Sequence, residues 1–214
     1  PYGFLPIQSS VGASSTFEMI QARMATGDPT KIYRGDPVKF VNTGYIAAWT
    51  ATTANSQLAG IFWGCSYLST ASGKMVQNNF WPGTDVASTA QETVSAQIIP
   101  CVGSASPLFR VQTDGTGAAF ADFGLNFDVG MGTGNTLNGQ SGAYLDIAGA
   151  YGTTATLPFR LVGFYGGYMG AGLGGVQPSA TNPYGSGGTS QTSAAVAYNW
   201  VIVRANVAGI GTGI

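Results

Sequence analysis

The sequence predicts an all-β fold: a single β-barrel or jelly-roll-like sandwich with an extended N-terminal arm and Gly-rich loops. Three observations carry that expectation. Glycine supplies 33 of the 214 residues, roughly twice its average share. These glycines punctuate short runs rich in Val, Ile, Thr, Phe, Tyr and Trp, the pattern of strands joined by tight turns. Outside one ambiguous stretch, no segment repeats its apolar residues at a 3.6-residue spacing. A chain of this length suits one all-β unit, and its 44% hydrophobic residues suffice for a sizeable core.

Taken in order, residues 1–12 read as an extended arm, 13–207 as the β domain and 208–214 as a Gly-rich tail. The arm carries Tyr2, Phe4, Leu5 and Ile7 between Pro1, Gly3 and Pro6. Proline and glycine disfavour a helix, and the apolar side chains need cover. The expectation is that Pro1 to Val11 binds a neighbouring subunit rather than its own core.

Ser15-x-x-Glu18 resembles a capping box, with Phe17, Ile20 and Met24 at helical spacing. Thr16 to Met24 also reads as an alternating strand, which is preferred. Val38–Ile46 reads as a strand. Gly60–Tyr67 reads as another, with Ile61, Trp63, Cys65 and Tyr67 on one face. Ser72-Gly73 forms a turn, and Lys74–Phe80 returns as the hairpin partner. Further strands are expected at Val94–Val102, Leu108–Gln112, Ala118–Phe127, Ala143–Ala148, Pro158–Tyr165 and Trp200–Val207. Asp114-Gly115 and Asn138-Gly139 are turn dipeptides, since these residues tolerate positive φ. Two stretches, 166–188 and 208–214, are low in complexity and should be mobile free in solution.

The chain carries only 8 Lys+Arg and 9 Asp+Glu, and no histidine. Charged residues make up 8%, against about 25% in an ordinary soluble domain. So bare a surface is poorly protected from self-association, which points to a part of an assembly. The basic residues are scattered, so no cluster tracks phosphates and nucleic-acid binding is not expected. The uncharged stretch Leu161–Val176 is Gly-rich and shorter than a spanning helix, so no membrane helix is expected. No secretory signal is evident at the start, and Pro1-Tyr2-Gly3 is what removal of an initiator Met would leave. The expectation is cytoplasmic synthesis, with Cys65 and Cys101 as reduced core thiols.

Without histidine, imidazole-based triads and His-based metal sites are excluded. Asp114, Asp122 and Asp128 are the only acidic concentration, and they read as turn and strand-end residues. Asn126-x-Asp128-x-Gly130 fails the EF-hand spacing. Gly130-Met-Gly132-Thr-Gly134 lacks the Lys-Ser/Thr of a phosphate loop. Arg34-Gly35-Asp36, an integrin-type tripeptide, reads as turn chemistry before Pro37. No catalytic residue, cofactor or metal is expected. The aromatics, among them Trp49, Trp63, Trp81 and Trp200, read as core and interface packing. A sugar-binding face is the lesser reading.

A series of short motifs runs along most of the chain. It comprises Tyr2-Gly3-Phe4-x-Pro6, Tyr33-Arg34-Gly35-Asp36-Pro37-Val38-Lys39, Gly44-Tyr45-Ile46 and Gly60-Ile61-Phe62-Trp63-Gly64-Cys65-Ser66-Tyr67. Phe80-Trp81-Pro82-Gly83, Phe109-x-Val111-Gln112, Gly124-x-Asn126-x-Asp128, Leu161-x-Gly163-Phe164 and Val203-Arg204-x-Asn206 complete it. In order and type, the series resembles the decoration, or cement, proteins of tailed-bacteriophage capsids. The resemblance implies a non-enzymatic protein on the outer capsid surface of a virion, made in the host cytoplasm. It also implies a homotrimer whose partner is the major capsid protein. The candidate assembly-interface residues are Tyr2, Phe4, Leu5 and Ile7 of the arm, with Arg34, Asp36 and Trp81 from the motifs. Two other readings stand beside this one. A phage fibre or lectin-like protein would bind host-surface glycans. A major coat protein would need long helices or a basic arm, and neither is evident.

Overall fold

In a computed structural model of the chain, the described residues are 1–7, 18–50, 57–87, 94–101, 107–154, 156–165 and 197–206. They are all-β. The strands are β1 (Leu5–Ile7), β2 (Ile20–Ala22), β3 (Ile32–Tyr33), β4 (Pro37–Phe40), β5 (Ile46–Ala48), β6 (Leu58–Leu68) and β7 (Met75–Asn78). They continue as β8 (Phe80–Trp81), β9 (Ser95–Pro100), β10 (Leu108–Gln112), β11 (Asn126–Gly130), β12 (Tyr144–Gly152), β13 (Phe159–Phe164) and β14 (Trp200–Ala205). One sheet runs β1-β10-β14-β13-β11-β12, and a second runs β2-β9-β6-β4-β5 with β7 also on β6. β3 and β8 form a separate ribbon.

The first sheet curls. Thr113, just past β10, bridges Leu145 of β12, and the Asp114 carboxylate accepts the N–H groups of Ile147 and Ala148 at 3.0 and 2.8 Å. The ladder goes no further among the described residues, so the barrel is not closed and the arrangement is sandwich-like.

Two hydrophobic cores result, and β6 serves both. Leu58 and Ile61 enter the core of the first sheet, with Phe109, Phe127 and Phe159. Ala59, Phe62, Cys65 and Tyr67 enter a second core with Ile32, Val38 and Trp81. One strand can feed two cores because bulges reverse its pleat. The β6–β9 register shifts between Phe62 and Gly64, leaving Trp63 as the extra residue. An extra residue moves the following side chains to the other face. The expected common face for Ile61, Trp63, Cys65 and Tyr67 is therefore corrected. Ile61 and Trp63 pack toward the first core, Cys65 and Tyr67 toward the second.

The N-terminal arm is corrected as well, over its described part. Leu5–Ile7 is an edge strand paired to β10, and Phe4 is fully buried in the first core. The chain enters through Gly3, whose φ is +71°, and whose place leaves no room for a side chain beside Ser141. Gly3 N–H donates to Ala143 O at 3.1 Å, and Phe4 N–H donates to Gly35 O at 2.9 Å. The first residues thus stitch the two sheets together. Pro6 is tolerated because β1 ends its sheet among the described residues, and an edge strand bears a missing N–H. Residues 8–12 lie outside the described residues, as do the 166–188 stretch and the 208–214 tail.

Most other expected strands appear within a residue or two. Val38–Ile46 is instead a hairpin of β4 and β5, turning where Gly44 adopts φ +84° and donates to Val41 O. Ala118–Phe127 is interrupted by a 3-10 turn at Phe120–Asp122, fixed when the Asp122 carboxylate accepts the Ala119 N–H at 2.7 Å. The strand starts only at Asn126. In the ambiguous segment the described residues begin at Glu18, and Ile20–Ala22 among them is strand; Ser15 lies outside the described residues. The pairs β1 with β10 and β3 with β8 were not expected from sequence.

Candidate functional site

Of the candidate interface residues, three cannot face a partner. Phe4 and Trp81 are 0% exposed and Asp36 3%. Trp81 fills the second core and donates its indole N–H to Asp28 O at 3.1 Å. Asp36 is locked between Ser141, whose hydroxyl donates to one carboxylate oxygen, and the Tyr33 N–H, which donates to the other at 2.7 Å. Burial raises Asp36 from 3.8 to about 6, against the lowering pull of those two donors. The Arg34-Gly35-Asp36 tripeptide therefore presents no free carboxylate. It is a structural junction, with Arg34 N–H on Gly139 O and Gly35 N–H on Phe62 O.

Tyr2 is exposed, and Leu5 and Ile7 are partly buried on the edge strand. Tyr2 stacks on Trp200 with ring centroids 5.8 Å apart and planes within 11°. The Arg110 guanidinium lies 5.7 Å from the Trp200 ring and donates to the Tyr165 hydroxyl at 2.9 Å. A second exposed pair, Phe120 and Phe123, stacks at 6.3 Å on the 3-10 turn. Tyr151 and Tyr198 are also more than half exposed.

Arg34 leads to a concavity. Its guanidinium sits 3.8 Å from the centre of the Trp63 ring, a cation–π contact. The bulge at Trp63 turns the indole out of the β6 ladder and makes this stack possible. The pair forms a ridge between a cleft of about 570 Å³ and a smaller one of about 210 Å³. The floor of the larger cleft is the outer face of β6, at Gly64 and Ser66. One wall is Gln21, Gln97 and Ser95 from β2 and β9; the other is Gln77, Asn78 and Asn79. Strand pairing sets these side by side: Gln21 opposes Gln97, Gln97 opposes Gly64, and Ser66 opposes both Ser95 and Gln77. The smaller cleft adds Leu5, Asn138 and Gln140. Sequence reasoning missed this site, because its residues come from four strands.

Asp114 and Asp122 bind backbone N–H groups of their own turns. Asp114 organises backbone: besides β12 it accepts Thr116 and Gly117 N–H groups at 2.8 and 3.2 Å. Asp122 caps its turn. The acidic pair that strand register brings together is Asp128 opposite Asp146. Burial, with a smaller repulsion from Asp146, raises the Asp128 pKa. Each carboxylate accepts a neighbouring N–H, from Val129 and Gly149. Among the described residues no group of three His, Cys, Asp or Glu is placed to hold a metal. Cys65 and Cys101 are free, buried and in separate cores. Burial pushes the Cys65 thiol to about 12 and that of Cys101 higher still. No described helix is long and apolar enough to cross a membrane.

In comparisons with known proteins, no family model, curated protein or solved structure matches this chain.

Proposed function

We propose that this chain is a structural protein of a virion, binding the outside of a phage capsid at symmetric junctions and stabilising the shell without catalysis. The observation that carries the reading is the surface. Nine acidic and eight basic residues serve an accessible area of 10776 Å², while Phe123, Tyr151, Tyr198 and Leu137 stand 52%, 62%, 56% and 96% exposed. A surface with so few charges and so many exposed apolar side chains is suited to being covered by other protein. The series of motifs that resembles decoration proteins supports the same reading.

The contact region we assign is the free edge of β1 with Leu5 and Ile7, beside the Tyr2–Trp200 stack. The major capsid protein is the partner, and a homotrimer matches the three-fold positions a capsid lattice offers. Such an interface relies on packing and neutral hydrogen bonds, so salt weakens it little. Purified chain mixed with heads that lack it should co-sediment with them in low and high salt alike. Failure to bind heads at either ionic strength overturns the proposal.

A further inference from the structure

We propose that the double cleft around Trp63 is a binding site for an oligosaccharide. The inference goes beyond the capsid reading and does not rest on it.

Four observations converge. First, the lining is rich in carboxamides: Gln21, Gln77 and Gln97 with Asn79 in the large cleft, and Asn138 with Gln140 in the small one. A carboxamide offers a donor and an acceptor side by side. A sugar hydroxyl is likewise both donor and acceptor, so the two match in pairs. Second, the side-chain amides of Gln21, Gln77 and Gln97 make no hydrogen bond among the described residues. Their capacity is open to a ligand. Asn78, by contrast, is engaged by the Tyr67 hydroxyl.

Third, charge selects against the other ligand classes. No carboxylate lines either cleft, and Arg34 is the one cation lining both. A metal ion finds no anionic donors there, and a nucleic acid finds a single phosphate partner. An extended peptide would need apolar pockets for its side chains, and the large cleft offers little apolar surface beyond Trp63.

Fourth, Trp63 and Arg34, both partly buried, line both clefts, and the guanidinium covers one face of the indole at 3.8 Å, so a sugar ring meets the part of the indole that Arg34 leaves open. Aromatic rings take the apolar face of a sugar ring while the edge hydroxyls reach polar partners. Two clefts on either side of one stacking ridge suit at least two sugar units in sequence. The frame is rigid, being the outer face of the paired strands β2, β9, β6 and β7. Gly64, in the floor, lets β7 approach closely, since a Cβ there would stand 3.2 Å from the Asn78 carbonyl oxygen.

The test is a printed array of neutral and acidic oligosaccharides probed with the intact chain, followed by titration calorimetry with the best binder. Gln77 and Gln97 are exposed, so Gln77→Ala and Gln97→Ala should fold normally. Each should weaken binding by about tenfold, the loss of one or two hydrogen bonds. Trp63→Ala should abolish it, with circular dichroism reporting whether the fold persists. Array signals no higher than those of an unrelated control protein overturn the proposal. So does sugar binding that all three variants leave unchanged. If no sugar binds and Gln77→Ala with Gln97→Ala instead lose attachment to heads, the cleft belongs to the capsid contact and the saccharide assignment is wrong.

Discussion

Phe4→Ala separates a chain start that belongs to the fold from one that reaches for a neighbour. Phe4 is 0% exposed. Its ring stacks on Phe159 at 4.4 Å and meets Phe109 edge-on at 6.4 Å and 79°. Truncating a buried Phe removes its transfer free energy and leaves a cavity, together about 3–5 kcal/mol. Domain stabilities run to roughly 5–15 kcal/mol, so this one change should remove a large share. Tyr2→Ala is the control two residues away. Tyr2 is 49% exposed and has one stacking partner, Trp200, so its loss should be about 1 kcal/mol. Urea unfolding of the free chain, followed by circular dichroism, measures both. A Phe4→Ala midpoint shift worth under about 0.5 kcal/mol, the range of ordinary surface changes, would refute the assignment of the first residues to their own core.

Three other outcomes follow from the same contacts. Asp36 has its folded pKa raised from 3.8 to about 6, so the folded state holds the proton more tightly than the unfolded chain. The Asp36 contribution to stability is fully present below pH 3.8 and is lost as pH rises through about 6, a change of about 3 kcal/mol. Asp36→Asn should flatten that slope in unfolding curves taken across the window, and an unchanged slope would assign the effect elsewhere. Asp114→Ala removes an acceptor shared by Thr116, Gly117, Ile147 and Ala148. It should cost about 2 kcal/mol and lower the thermal midpoint, whereas an unaltered midpoint would show that the seam closes without it. Cys65 and Cys101 should resist iodoacetamide in the native chain at mildly alkaline pH and react once it is unfolded. Rapid labelling of the folded chain would contradict their burial.

The strands were legible wherever local chemistry decided them. Leu108–Gln112 is bounded by Pro107 and the Asp114-Gly115 turn, and the strand has the limits that these breakers set. What failed was tertiary. Nothing local distinguishes Phe4 on an external arm from Phe4 in a core, since both want cover. Nothing in Gly60–Tyr67 announces the bulge at Trp63, because register depends on the partner strand at Gln97. Between the barrel and the sandwich that the sequence leaves open, pairing decides: curling brings Thr113 to Leu145, and among the described residues the seam is that single bridge, so the fold is sandwich-like. The amide cleft had a faint signal in the alternating polar positions Ser95 and Gln97, and Gln77 and Asn79. Only strand pairing places them on one surface with Gln21.

The proposed role meets its most direct test in the thermal rupture of phage heads with and without this protein, each at low and high ionic strength. Decorated heads should survive to a higher temperature than stripped ones, and the difference should persist in high salt, because few charges take part. Rupture at the same temperature with and without the protein would contradict the capsid-stabilising role.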